Sequence, residues 1–364
     1  MTANDILVPG NPTLGFGAMR LPDMQLARRM VDTYMDSGYN YFDTAYAYSG
    51  SEEMLNKTLV TRYPRSKFMI ASKLLSWELK KTADCDRIFE ESLRRCGIDY
   101  FDFYLMHSLS DDREQHVENI GMFEWAQEQK KRGRIKHVGF SFHGTTPYLE
   151  RLLSRHPKSE FVQLQLNYVD ILQGHAGQWQ ALALKHNKPI IVMGPIKGGT
   201  LSSLPAPAEA LLKARDPNRS ISSWAVQYAA SLTGVTSILS GMSNMEQLQD
   251  NLKTFRDFKP MTKEEYDLLD NVLVEIGKVA SIACTACKYC HPHCPQGLDI
   301  AAGFSLYNEV KRGGAMWNCK MMYDTLPEES KADKCTACGV CLEYCPQQLD
   351  IPAGLNEVAK EFAN

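Results

Sequence analysis

The 364-residue sequence has no apolar run approaching the roughly 20 residues that span a bilayer. Its opening, MTANDILVPG, lacks a basic segment followed by an apolar core. Both absences lead us to expect a cytoplasmic protein with no membrane partner. An excess of either charge is also missing, since 40 lysines and arginines face 43 aspartates and glutamates for a net charge of −3. No strongly basic surface for gripping phosphate backbones follows, so nucleic acid is not an expected partner. Low-complexity tracts and long linkers are absent, and 44% hydrophobic with 23% charged residues are the proportions of a globular chain.

What is present is alternation. Eight short β-rich apolar runs occur between residue 13 and about residue 240: Thr13–Gly17, Asn40–Asp43, Lys67–Lys73, Phe101–His107, Ile135–Ser141, Phe161–Asn167, Pro189–Gly194 and Val235–Gly241. Helical stretches such as Met24–Ser37, Asp84–Cys96, Glu114–Arg132 and Ile221–Ser231 separate them, and Gly38, Gly97 and Gly133 close three of these as C-terminal glycines do. Strand alternating with helix implies a parallel sheet. Eight repeats over this length suit a closed (β/α)8 TIM barrel better than an open doubly wound sheet. A last helix over Met261–Val279, with Thr262 and Glu265 spaced as a capping box, leads out of it.

Near residue 281 the composition shifts to cysteine, proline and glycine. The expected domains are therefore 1–280, the barrel, and 281–364. Eight of the 11 cysteines fall in two tight groups beyond residue 283, and CTACKYCHPHCPQGLDI at Cys284 recurs 51 residues later as CTACGVCLEYCPQQLDI at Cys335. Each copy reads C-x2-C-x2-C-x3-C-P, the ligand run of two-cluster bacterial ferredoxins. Three thiolates on one tight loop cap three corners of a cubane, and in that arrangement the fourth cysteine serves the other cluster. This assigns Cys284, Cys287, Cys290 and Cys345 to one 4Fe-4S cluster and Cys335, Cys338, Cys341 and Cys294 to the second. Structural zinc prefers two cysteine pairs separated by a longer loop. The connection, with helical patterns over Ile300–Lys311 and Ala315–Tyr323, resembles the mainly helical di-cluster ferredoxin-like domains attached to redox enzymes. His291 and His293 read as a solvated loop, with tuning of a cluster as the alternative. Cys85, Cys96 and Cys319 read as free thiols.

Barrel enzymes place their chemistry at the C-terminal ends of strands. Asp43 ends the second run, Tyr48 follows it, Lys73 ends the third and His107 ends the fourth. In this order and at these places, with DTAYAY, LGFGAMRLP, SLRRCGIDYFDFYLMH, GRIKHVGFS and GMSNMEQLQDNL, the sequence resembles the aldo-keto reductase family over residues 13 to about 255. With its two cluster motifs, the complete chain resembles that family's iron–sulfur-containing branch.

The resemblance implies an NAD(P)-dependent oxidoreductase interconverting an aldehyde or ketone with an alcohol, with a small-molecule substrate. Tyr48 would be the proton donor, and an ammonium beside a phenol favours the phenolate. Lys73 would supply that charge, Asp43 would hold Lys73, and His107 would donate to the carbonyl oxygen. Tyr46, Leu75 and Trp77 follow catalytic strands and are as readily packing residues as substrate contacts. NADH or NADPH would run across the barrel mouth without a GxGxxG turn. Gly17, Ala18, Met19 and Arg20 would line the first strand end, and Ser141 and Gln163 would hold the carboxamide. Met193 would stand where relatives often have a stacking tyrosine, a weaker geometry.

At the adenosine end, Ser243 and Glu246 have capping-box spacing before a helix start suited to anions, and Asn251 would meet the adenine. Relatives using NADP bring Lys and Arg to positions that here are Gly241 and Gln247, so relaxed or NAD-leaning selectivity is expected. A hydride moves two electrons and a cluster accepts one. A flavin or other mediator without a motif, an external ferredoxin or partner enzyme, and purely structural clusters are three explanations left open. The rival reading is an electron-transfer protein whose barrel binds nucleotide or a partner.

Overall fold

Eight strands form a closed parallel barrel in the order of the chain: β1 Thr13–Gly17, β2 Tyr41–Asp43, β3 Met69–Leu74, β4 Phe101–Leu109, β5 Ile135–Phe142, β6 Phe161–Gln165, β7 Ile190–Met193 and β8 Val235–Ser240. The computed structural model describes residues 3–8, 12–172, 176–256, 258–278, 281–284 and 286–363. Every strand lies within two residues of its predicted bounds. The largest differences are at β4, which runs two residues beyond His107, and at β3 and β6, which each lose two residues at one end. Helices Met24–Asp36, Thr82–Cys96 and Ile221–Ser231 match their predictions closely. The predicted helix over 114–132 is two, Glu114–Ile120 and Met122–Lys131, because Gly121 takes φ +69° and turns the chain between them. Of the predicted helix 261–279, Lys263–Gly277 is helical and Val279 lies outside the described residues.

The barrel is filled by side chains of its own strands. Tyr41, Met69, Ala71, Phe103, Leu105, Phe161, Ile191 and Leu239 cluster inside it with Ile6. Gly139 on β5 makes room for this packing, since a Cβ there would lie 2.6 Å from the Phe161 ring. The interior is thus a packed core, and chemistry is confined to the strand ends.

By compactness the chain divides into Met1–Pro195 with Ser223–Met261, and Ile196–Ser222 with Thr262–Asn364. The second unit holds helices Ala206–Arg215, Lys263–Gly277, Ile300–Lys311, Met316–Asp324 and Ile351–Phe362. Thr262 and Glu265 form the predicted capping box. The predicted helix over 315–323 sits one residue later. Among the described residues, no helix is long and apolar enough to cross a membrane.

The 51-residue repeat is also a repeat of conformation. Ala286 and Ala337, Lys288 and Gly339, and Gly297 and Gln348 all adopt positive φ. Four of these six residues are not glycine and accept a left-handed backbone at a cost of roughly 1–2 kcal/mol each. Downstream, Asp299 caps helix 300–311 through Ala302 N and Asp350 caps helix 351–362 through Ala353 N, both at 3.1 Å.

Candidate active site and cluster motifs

At the strand ends, Lys73 is the hub. Its Nζ donates to Asp43 Oδ1 at 2.5 Å and Thr44 O at 2.7 Å, and lies 3.4 Å from Tyr48 Oη. Lys73 and Asp43 are buried. Burial alone would lower the lysine's pKa, but the Asp43 carboxylate and the Tyr48 phenol outweigh it and the net direction is up, so Lys73 is an ammonium. The other Asp43 oxygen accepts from Gln163 Nε2 at 3.0 Å.

Tyr48 is carried by two consecutive turns, with its N–H on Ala45 O and its carbonyl accepting from Ser51 N. Ser51 anchors that loop, its Oγ 2.6 Å from Thr44 Oγ1 and 2.7 Å from Ala18 O. His107 meets the Tyr48 ring edge-on at 5.7 Å and the Trp77 ring at 5.4 Å. Burial, then the charge of Lys73, pushes the His107 pKa well below the usual value, which keeps the imidazole neutral. Its buried Nδ1 has no hydrogen-bond partner among the described residues.

The pairing of β4 with β5 shifts register between Met106 and Leu109, and Ser108 adopts φ +56°. This bulge aims His107. Ser108 N donates to Ser141 Oγ at 2.7 Å, and Ser108 O accepts from Arg113 Nη1 at 2.8 Å.

The structure brings Asp43, Tyr48, Lys73 and His107 together, and each predicted cofactor residue also has a definite place. Gly17 ends β1, where a Cβ would lie 3.1 Å from Ser240 O, so the two backbones nearly touch. Ala18 is buried, Met19 and Arg20 are exposed, and Arg20 Nη2 lies 3.9 Å from where a Gly241 Cβ would be. Met193 is half-buried at the end of β7. Ser141 and Gln163 already serve the bulge and Asp43, and buried Asn251 donates to Ser240 Oγ at 2.8 Å.

The predicted Ser243–Glu246 capping box is corrected by one residue. Asn244 Oδ1 accepts from Gln247 N at 2.9 Å, and Gln247 Oε1 accepts from Ser243 N at 2.8 Å. Asn fits the cap as well as Ser does, and Gln247 reaches past the cap to the N–H of the residue before it, so the box is not closed reciprocally. Of the loop residues, Trp77 borders His107, Leu75 is buried and Tyr46 lies under Arg95. Thr44, Ser51 and Arg113 were not predicted, although the Thr of the DTA motif marked one of them.

In the second unit the eight motif cysteines line two pockets. One is lined by Cys284, Cys287, Cys290 and Cys345 with Ile300, Phe304 and Ile351. The other is lined by Cys294, Cys335, Cys338 and Cys341 with Leu298 and Leu355. Each set contains the fourth cysteine of the opposite motif. The same backbone hydrogen bonds to sulfur recur, Ala286 N to Cys284 Sγ and Ala337 N to Cys335 Sγ, both at 3.4 Å. Among the described residues no three His, Cys, Asp or Glu side chains converge as around a single ion. Four thiols around an apolar pocket fit a polynuclear cluster. His293, preceding Cys294, stacks on Tyr344, preceding Cys345, with ring centroids 3.5 Å apart. Cys85, Cys96 and Cys319 are buried thiols.

A parallel eight-stranded barrel with its polar groups at the strand ends defines a (β/α)8 enzyme. The model of the aldo/keto reductase family matches residues 13–274, and that of a 4Fe-4S dicluster domain matches 283–349. The chain belongs to the aldo/keto reductase family, is an oxidoreductase of that type, and carries a 4Fe-4S dicluster domain at its C-terminal end.

Among curated relatives, the uncharacterized oxidoreductase YqkF of Bacillus subtilis is 24% identical over 294 residues, covering 71% of this chain and 91% of that protein. Aldehyde reductase YPR1 of Saccharomyces cerevisiae is 27% identical over 283 residues, covering 69% and 86%. The barrel fold is shared with the holo form of aldo-keto reductase AKR11C1 from Bacillus halodurans, at TM-score 0.60, 24% identity and coverage of 73% and 96%. It is shared too with an aldo-keto reductase from Klebsiella pneumoniae in complex with NADPH, at TM-score 0.60, 20% identity and coverage of 72% and 91%. Nothing in these matches supports a flavin.

Proposed function

We propose that the barrel unit catalyses reversible reduction of an aldehyde or ketone to an alcohol with a nicotinamide nucleotide as hydride donor. The observation that carries this reading is the buried Lys73 ammonium, 2.5 Å from Asp43 and 3.4 Å from the Tyr48 hydroxyl. In reduction, Tyr48 Oη gives its proton to the oxygen of the substrate carbonyl. Lys73 stabilises the phenolate oxygen that remains, and Asp43, braced by Gln163, keeps the ammonium in position. Neutral His107 offers a ring nitrogen to the same substrate oxygen. The nucleotide, when bound, supplies the hydride. Gly17, Ala18, Met19, Arg20, Met193, Gly241, Ser243 and Asn251 are the residues proposed to hold it. Ser141 and Gln163 are retained for the carboxamide through groups left over from their protein partners.

Gln247 is folded back on Ser243, and Gly241 carries no charge, so selectivity is expected to be relaxed or to lean to NAD. Dissociation constants for NADH and NADPH test this, and a clear NADPH preference would overturn it. Steady-state assays on a carbonyl panel test the chemistry. Tyr48→Phe should lower kcat by about 10²–10⁴-fold, and full activity in that variant would refute the assignment.

The two four-cysteine sets are proposed to hold one 4Fe-4S cluster each. Cys287 and Cys338 are exposed, which favours electron exchange with an external redox protein such as a ferredoxin. Anaerobic titration with NADH and then NADPH, followed by cluster EPR, separates this from a structural role. Cluster signals growing in step with nicotinamide consumption support electron exchange, whereas silent clusters that dithionite still reduces support structure. Eight cluster thiols and three free ones suit a reducing compartment, and we place the protein in the cytoplasm.

A further inference from the structure

The barrel mouth carries a cation that the reaction above does not use. Arg113 ends the short turn Asp111–Arg113 that follows β4. Its Cζ lies 4.9 Å from the centroid of the Trp77 ring. That ring contacts His107, which contacts Tyr48, so the guanidinium adjoins the proposed reaction centre. Nη1 is committed to Ser108 O at 2.8 Å.

The nearest carboxylate, on Asp112, stays 3.7 Å from Nε, beyond hydrogen-bond distance, and is itself bonded to Ser110 Oγ at 2.5 Å. The Nε–Nη2 edge of Arg113 therefore has no acceptor among the described residues. That edge presents two parallel N–H groups, the geometry that matches a carboxylate. The side chain is 28% exposed, so it is partly desolvated yet open to solvent, and its guanidinium lies over Trp77. Arg113 pairs only loosely with Asp112 at 3.7 Å, whereas Lys73 is hydrogen-bonded to Asp43 at 2.5 Å.

We propose that Arg113, resting on Trp77, binds a carboxylate of the substrate, so that the enzyme acts on oxo acids: aldehydes or ketones carrying a carboxylate a few atoms from the carbonyl. This rests on the reaction proposed above. Arg113 also pins the bulge that aims His107, so a positioning role has to be separated from substrate binding.

Two matched pairs serve the purpose, succinic semialdehyde with butanal and para-carboxybenzaldehyde with its methyl ester. The wild type should favour the acid of at least one pair by about tenfold or more in kcat/KM. Arg113→Gln should bring that ratio near one, chiefly through KM, and Arg113→Lys should restore part of it. Equal use of both members by the wild type, or an equal fall for both in Arg113→Gln, would overturn the proposal. Calorimetric titration with succinate and with succinamide gives a readout independent of turnover. Succinate binding that exceeds succinamide binding and weakens about tenfold in Arg113→Gln supports the site even where no carbonyl is reduced and the reaction itself fails. Equal binding of the two, or none, counts against it.

Discussion

The barrel and the cluster unit build their cores differently. The barrel fills its interior with Tyr41, Met69, Phe103, Leu105, Phe161 and Leu239, and its central charges satisfy each other without any cofactor. In the cluster unit, Cys290 and Cys341 are core residues, and Cys284, Cys294, Cys335 and Cys345 pack against that core. The barrel keeps its polar groups at the strand ends, outside that core, whereas the cysteine-lined pockets of the cluster unit interrupt its core. Clusters held there as proposed would do the job that leucines do in the barrel, and their binding energy would become folding energy.

The largest effect expected from this contrast follows removal of the clusters, by chelation under oxidation or by Cys290→Ser with Cys341→Ser. Residues 284–362 should lose hydrogen-exchange protection while β1–β8 keep theirs. Equal loss in both would mean that the barrel depends on metal too, and the comparison would fail.

Much of this contrast was legible in the sequence, for a local reason. Strand and helix periods and the cysteine spacing are written within a few residues of one another, and so was the strand-end position of Asp43, Lys73 and His107. The unread parts are long-range or depend on geometry. Gln163 braces Asp43 across 120 residues of chain, and no local pattern marks that pair. The bulge at Ser108 is invisible in the alternation FDFYLMHSL, so the link from Ser141 through Ser108 to Arg113 was missed. The one-residue slip of the cap at Asn244 arose because both registers offer suitable residues and only packing chooses between them.

The next effect belongs to the barrel. Lys73→Met should abolish most reduction and also leave the Asp43 carboxylate buried without its cation, costing about 3–5 kcal/mol. Urea unfolding of the barrel would measure this, while the cluster absorbance should hold at wild-type values. A barrel that tolerates the change would mean that Gln163 alone compensates Asp43, and the paired-charge account of the site would fall.

A smaller effect is set by His107, whose folded-state pKa is depressed by burial and then by Lys73. Below about pH 6.5 the unfolded chain takes up a proton there that the folded chain refuses. Stability should therefore fall as pH drops, by at most about 1.4 kcal/mol per pH unit from this group. In His107→Gln that part of the slope should vanish. An unchanged slope would show that other groups govern acid unfolding of the barrel.

The smallest effect tests whether the two halves of the cluster unit are equivalent in energy as well as in conformation. Asp299 and Asp350 cap their helices at the same distance, and each replacement by Ala should cost about 1 kcal/mol. Asp350 is exposed and Asp299 only half so, and Pro352 already restricts the first turn of the second helix. Water can replace more of what Asp350 provides, so Asp299→Ala should be the costlier by a few tenths of a kcal/mol. Denaturant midpoints followed by loss of cluster absorbance would rank them. The opposite order would mean that the repeat's symmetry of conformation conceals an asymmetry in which half holds the unit together.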